Sequence, residues 1–150
     1  PALRLDDGSV LTEVSAIIQY LADQAPAAGL IPAAGTMERY RILEWIGYVS
    51  TEIHKGFGPL RNAKLAPEAR AAAVAALPHR LDLVEKVLAR QPFLAGERFT
   101  VVDAYLFAVA SWAPWVKLDM APWPKLRDFV ARVGARPKVQ EALVAEGLVE

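Results

Sequence analysis

Cysteine is absent from the 150-residue chain. For this segment that excludes a disulfide framework, a thiolate metal site and a cysteine nucleophile. An excess of charge is absent too, with 17 Lys and Arg against 17 Asp and Glu. Local basic patches aside, this balance removes the electrostatic case for nucleic acid or an anionic membrane surface. No run of about 18 apolar residues occurs, so no spanning helix is expected. No basic-then-apolar N-terminus occurs either, so no signal peptide is expected. The chain opens on Pro1 and passes straight into Ala2-Leu3-Arg4-Leu5, which reads like the middle of a domain. Repeats and low-complexity tracts are missing as well, although residues 71–76 are rich in alanine, as helices allow.

What is present is apolar material, 54% of the residues, enough at this length for one sizeable core. Residues 1–12 carry the one clear strand signal. Leu3 and Leu5 alternate with Ala2 and Arg4, and Asp6-Asp7-Gly8-Ser9 leads to Val10-Leu11-Thr12, which predicts a hairpin. Alone it is marginal and leaves edges open, so it needs more sheet or a covering helix. Thr12-Glu13 opens a helix to about Gln24, with Ile17, Tyr20 and Leu21 on one face. Ala25 to Pro32 reads as a loop.

Everything after the loop reads as helical. Thr36 N-caps a long helix to about His54–Phe57, its apolar face including Tyr40, Leu43, Ile46 and Ile53, before Gly56, Gly58 and Pro59 end or kink it. Pro67 suits the first turn of a helix reaching about Arg90, which Pro78 either kinks or splits. Thr100-Val101-Val102-Asp103 has the form of a capping box with Asp in place of Glu. The helix it opens, about 101–113, is apolar all round and reads as buried and central. Pro122 and Pro124 precede a helix that Gly134 ends, and Pro137 starts the last one. The predicted class is mostly α: a partial α/β portion over residues 1–26, then an all-α portion over 33–150.

Two polar clusters are candidates for chemistry. Gly47, Thr51, His54 and Lys55 are spaced i, i+4, i+7, i+8 and so share a helical stripe, with Glu52 roughly a hundred degrees round. The stripe is either a solvated helix face or a receptor for an anionic or carboxylate-bearing ligand. Glu13, at a helix start with its free N–H groups, either caps or captures a ligand amino group. Trp112, Trp115, Trp123 and Tyr105 read mainly as core, with a Trp near a proline-closed helix end able to line an apolar pocket. His79 reads as surface. No metal-ligand spacing, phosphate-cradling glycine loop or Ser/His/Asp order is present.

Several runs resemble the glutathione S-transferase family. Pro1-Ala2-Leu3, Asp7-Gly8, Leu11-Thr12-Glu13, Ala16-Ile17 and Tyr20-Leu21 look like the second half of its thioredoxin-like domain. Thr100 to Tyr105 resembles the capping box of its central helix, and Phe129, Arg136-Pro137 and Val139 resemble its last two helices. Glu44-Trp45, Tyr48, Thr51 to Phe57, Asp103 to Phe107 and Trp112 are similar to the bacterial beta-class branch.

The resemblance implies a C-terminal all-α glutathione-transferase domain preceded by the last two strands and helix of a thioredoxin-like one. It implies conjugation of the glutathione thiol to hydrophobic electrophiles, with glutathione as co-substrate, no metal, a homodimer and a cytoplasmic setting. No nucleic-acid or membrane partner is implied. Pro1 would match the family's cis-proline, though here it has no preceding peptide bond. Glu13 would bind the γ-glutamyl end, with the Val14 backbone N–H helping. His54 and Lys55 would face the thiol, Thr51 and Glu52 would line or border the glutathione pocket, and Phe57 and Trp112 would wall the electrophile site. Gly47 would sit where the branch can carry a polar side chain. The thiol-contacting residue of the family precedes the position matched by Pro1, so the 150 residues alone would be weakly active or inactive. A non-catalytic interaction domain, or a glutathione-dependent isomerase, dehalogenase or peroxidase, are the alternatives on the same fold.

Overall fold

The computed structural model describes residues 1–149. Strands β1 (Ala2–Arg4) and β2 (Val10–Thr12) pair antiparallel, with Leu3 opposite Leu11. The turn is built locally. Asp7 Oδ1 accepts the Ser9 N–H at 2.8 Å and the Ser9 hydroxyl at 2.6 Å, and Gly8 takes the left-handed φ of 86° that the reversal needs. Leu3 and Leu11 are the half-buried members, so the hairpin lies with one face on the body beneath it. Helix α1 (Val14–Asp23) follows at once and buries Ile17 and Ala22. Tyr20 and Leu21, expected on the buried face with Ile17, are exposed instead. The helix is rotated so that the small Ala22 makes the close approach.

Helix α2 (Met37–Tyr48) starts at Thr36, whose hydroxyl accepts the Arg39 N–H at 3.3 Å. It continues through a π-helical turn, Val49–His54, into a short α3 (Lys55–Phe57) and a 3₁₀ segment, Gly58–Arg61. The inward stripe is Arg39, Ile42, Ile46, Val49, Ile53 and Phe57. The expected stripe through Tyr40 and Leu43 is thus displaced, with Tyr40 exposed. The displacement makes room for Arg39, a buried cation whose guanidinium grips Asp23 of α1 with both nitrogens at 2.7 and 2.8 Å and also reaches Pro32 O. The pairing holds the Arg39 charge firmly and draws the Asp23 carboxyl below its ordinary range.

Helix α4 (Pro67–Leu88) is one unbroken helix with Pro78 inside it, which decides between a kink and a split. Its buried residues Leu77, Leu81, Val84 and Leu88 follow α-helical spacing on one side, while Pro78 faces solvent. Helix α5 (Val101–Ala110) carries the expected capping box. Its centre is buried as expected, yet Ala104 and Ala108 are exposed, so its apolar character does not mean burial all round. Helix α6 (Pro124–Gly134) is capped from a distance: Glu85 of α4 accepts the Lys125 and Leu126 N–H groups, both at 3.0 Å. Helix α7 (Pro137–Ala145) closes the described chain with no fully buried residue. One apolar cluster runs from Ala22 and Ile31 through α2, α4, α5 and α6.

Candidate functional site

The site is assembled where the π-helical turn meets α5. A π-turn inserts an extra residue per turn, and such insertions recur at functional sites because they re-aim side chains. Here the turn separates residues that regular α-helical spacing would have stacked. Thr51 is exposed and donates to Gly47 O at 3.1 Å. Glu52 turns to α4, where its Oε2 pairs with Arg80 Nε at 3.2 Å, and its Oε1 accepts the Thr51 hydroxyl at 3.3 Å. Lys55 is exposed and makes no ion pair among the described residues. His54 alone turns inward, to α5. The expected single stripe of Thr51, His54 and Lys55 is therefore divided, with Thr51 and Glu52 engaged locally and His54 packed against Tyr105 and Trp112.

His54 Nδ1 lies 2.7 Å from the Tyr105 hydroxyl, and its ring meets that of Trp112 edge-on at 4.9 Å. Burial pushes the imidazole below its ordinary value of 6.5, and the nearby Arg61 charge pushes the same way. Burial raises the Tyr105 phenol; the Ser50 hydroxyl opposes that shift and the Glu13 carboxylate adds to it. Both groups are thus held neutral near pH 7. The hydrogen bond between Nδ1 and the Tyr105 hydroxyl sets the plane of the His54 ring and leaves Nε2 as the nitrogen not bonded to Tyr105.

Trp112 is the hub of the apolar side. It contacts His54, packs edge-on to Phe57 at 6.3 Å, and lies under the Arg61 guanidinium at 5.1 Å. Phe57 itself is fully buried. It cannot touch a ligand and instead supports Trp112 from behind, a correction to the expectation that Phe57 walls a pocket directly. Trp115, expected to be core, is 67% exposed. Trp123 is buried, with its indole N–H on Asp82 at 2.9 Å.

Glu13 stands between β2 and α1, and α1 packs against α5, the helix that carries Tyr105; Pro1 directly precedes β1. Glu13 has φ 68° and ψ 124°, an uncommon conformation for a residue with a side chain, and its carboxylate does not cap α1. The strain is stored beside the site, where such strain collects. It leaves the carboxylate of Glu13 free and the Val14 N–H at the start of α1, two of the elements a zwitterionic ligand needs. Arg61 was not singled out in the sequence. Its only signal was its position seven residues after His54, two helical turns on. Among the described residues no group of three or more His, Cys, Asp or Glu is placed to hold a metal ion.

This architecture, an αβ hairpin portion capping a helical body with a histidine and aromatics at the junction, has clear counterparts among known proteins. The family described as glutathione S-transferase, C-terminal domain, matches residues 48–137. Glutathione S-transferase GstA of Escherichia coli O157:H7 is 44% identical over 148 residues, covering 99% of this chain and 74% of that protein. The solved bacterial beta-class glutathione S-transferase of Sphingomonas chungbukensis aligns with a TM-score of 0.95 at 43% identity, covering 99% of this chain and 74% of that one. A sphingomonad glutathione S-transferase complexed with glutathione aligns with a TM-score of 0.93, again at 43% identity, 99% and 74% coverage. The chain belongs to the glutathione S-transferase family, and its likeness is to the bacterial beta class. It spans about three quarters of the length of these relatives.

Proposed function

We propose that this protein is a glutathione transferase, joining the thiol of glutathione to hydrophobic electrophiles. The observation that supports this most directly is the packing of His54 against Tyr105 and Trp112, beside the face of α5 on which α1, the helix that Glu13 opens, also packs. Glu13 would take the γ-glutamyl ammonium, and the Val14 N–H its carboxylate. Pro1 would border the cysteinyl part of the tripeptide. The nucleophile is the thiolate, so the site must favour sulfur without its proton. A His54 Nε2–H donor does so by hydrogen bonding to the anion, and the Lys55 ammonium by its charge. Thr51 and Glu52 would border the pocket from the outer side of the helix. Trp112 would hold an apolar electrophile against the sulfur, which is catalysis by proximity.

A glutathione-consuming reaction belongs in a compartment that keeps thiols reduced, so we place the protein in the cytoplasm. None of the helices is long and apolar enough to cross a membrane among the described residues. A homodimer is proposed on the exposed apolar side chains of the adjoining α1 and α2: Leu21, Met37 and Tyr40.

The test, made on the full-length protein, is retention on immobilised glutathione together with conjugation of glutathione to an aromatic chloride. The expected result is retention and turnover, with Glu13→Ala weakening glutathione affinity about tenfold, as loss of a charge-assisted contact does. The absence of both retention and turnover would overturn the reading.

A further inference from the structure

A surface cavity of about 690 Å³ opens where the 3₁₀ segment Gly58–Arg61, the start of α4 and the turns after α5 meet. Its size suits a small organic molecule. Trp112, Trp115 and Val116 supply apolar wall, and Arg61, Arg70 and Lys117 supply charge. No carboxylate lines it. In a chain with equal numbers of acids and bases, three cations without an acid around one cavity is a local departure from the average.

The three cations stand differently. Arg70 is occupied by structure, its guanidinium donating to Leu60 O and Asn62 O, both at 3.1 Å. Arg61 is exposed, lies over Trp112 at 5.1 Å and has no ion pair among the described residues. Lys117 is the more telling one. Its φ is 58°, left-handed, at a reversal closed by Lys117 N–H to Pro114 O at 3.1 Å and Leu118 N–H to Ala113 O at 2.9 Å. That bonding pattern ends helices, and its left-handed position normally holds glycine because a Cβ is strained there. Lysine in that place brings strain to the backbone and a charge to the cavity. Trp115 likewise stays two-thirds exposed on the same cavity, where it buries little of its own ring.

We propose that this cavity selects flat aromatic electrophiles carrying an anionic group, a carboxylate above all, with Trp112 and Trp115 against the ring and Arg61 and Lys117 at the anion. The proposal rests on the transferase reading and narrows its substrate class, because Trp112 walls both this cavity and the His54 site. With a halogenated substrate, the glutathione sulfur bonds to the ring carbon that bears the halogen. The halide leaves with the bonding pair, the thiol proton passes to solvent, and the carboxylate is unchanged. Arginine suits the carboxylate end of such a molecule, since its planar fork matches two oxygens.

The experiment compares 4-chloro-3-nitrobenzoate with 4-chloro-3-nitrobenzamide, which share size and ring and differ in charge. Binding is followed by tryptophan fluorescence without glutathione, at low salt, for the parent, Arg61→Gln and Lys117→Gly. The parent is expected to bind the benzoate about tenfold more tightly than the benzamide, and each variant to reduce that ratio at least about threefold. Thermal melts accompany the titrations, and Lys117→Gly is expected to melt no lower than the parent, because glycine fits the left-handed position. Equal affinities in the parent, or an unchanged ratio in both variants, would overturn the proposal. Conjugation assays with the same pair, run on the full-length protein, separate the two readings. A binding preference without turnover on either compound leaves the anion-selective cavity standing and sinks the transferase. Turnover on both without preference does the reverse.

Discussion

Asp103 has no exposed surface, yet it is surrounded by donors: the Leu94 N–H and the Thr100 N–H, each at 2.9 Å, and the Thr100 hydroxyl at 3.0 Å. It therefore ties the loop before α5 to the first turn of that helix. Burial outweighs these donors and raises the carboxyl above its ordinary value. Asp103→Ala leaves two buried N–H groups and a hydroxyl without an acceptor. A loss of about 3 kcal/mol or more is expected, read as a lower urea midpoint. His54 and Asp103 act on pH stability with opposite sign. The folded His54 value lies below 6.5, so the unfolded chain takes up its proton first. Stability from this group is full above about 6.5 and is lost as pH falls toward the depressed folded value. The raised Asp103 binds its proton more readily in the folded chain, so its contribution improves as pH falls through its folded value. His54→Gln is accordingly expected to flatten the fall in urea midpoint just below pH 6.5. An unchanged slope would show that His54 is not buried as described.

Helix interiors offer a paired comparison at the scale of the element. Gly47 in α2 has open space where a Cβ would stand, so Gly47→Ala is expected to stabilise by about 0.5–1 kcal/mol through the unfolded chain. At Gly56 in α3 a Cβ would meet Leu77 Cδ2 at 3.0 Å, and Leu77 is fully buried with no room to retreat. Gly56→Ala is expected to cost about 1 kcal/mol net, as overpacking does. Opposite signs for two identical substitutions nine residues apart, measured by calorimetry, would confirm how closely α3 packs on α4. Pro78 interrupts the hydrogen-bond ladder of α4 on its exposed side. Pro78→Ala restores an N–H there and is expected to raise stability by about 1–2 kcal/mol after the unfolded-state effect is subtracted.

For the whole molecule the question is what covers the exposed apolar side chains of α1 and α2. Leu21, Met37 and Tyr40 are each at least half exposed. They flank the Arg39–Asp23 pair that locks the two helices together, so they are held on a rigid support. Rigid apolar surface suits a permanent interface better than a transient one. Leu21→Glu with Tyr40→Glu is expected to shift a dimer to monomer in sedimentation velocity at micromolar concentration. A sedimentation coefficient unchanged by both the substitutions and dilution would remove this face as the interface.

Local forces made much of the chain legible before any tertiary contact was known. The Asp7-Gly8 turn, the Thr36 cap, the Pro67 and Pro137 helix starts and the Thr100–Asp103 box each involve groups within a few residues of one another. Such short loops close at little entropic cost, so sequence alone settles them. Burial was harder to read. Turning a helix by one residue swings its face about a hundred degrees, and periodicity constrains that rotation only loosely. Hence Leu21 and Tyr40 proved exposed and Arg39 buried. The partners that decided these outcomes lie far off in sequence: Asp23 for Arg39, Asp82 for Trp123, Glu85 for the start of α6, Tyr105 for His54. The candidate site followed the same division. Its residue types were visible in the helix that carries His54, but the π-turn that sends His54 one way and Glu52 another is held by packing against α5 and α4. Only the folded chain brings those helices within reach.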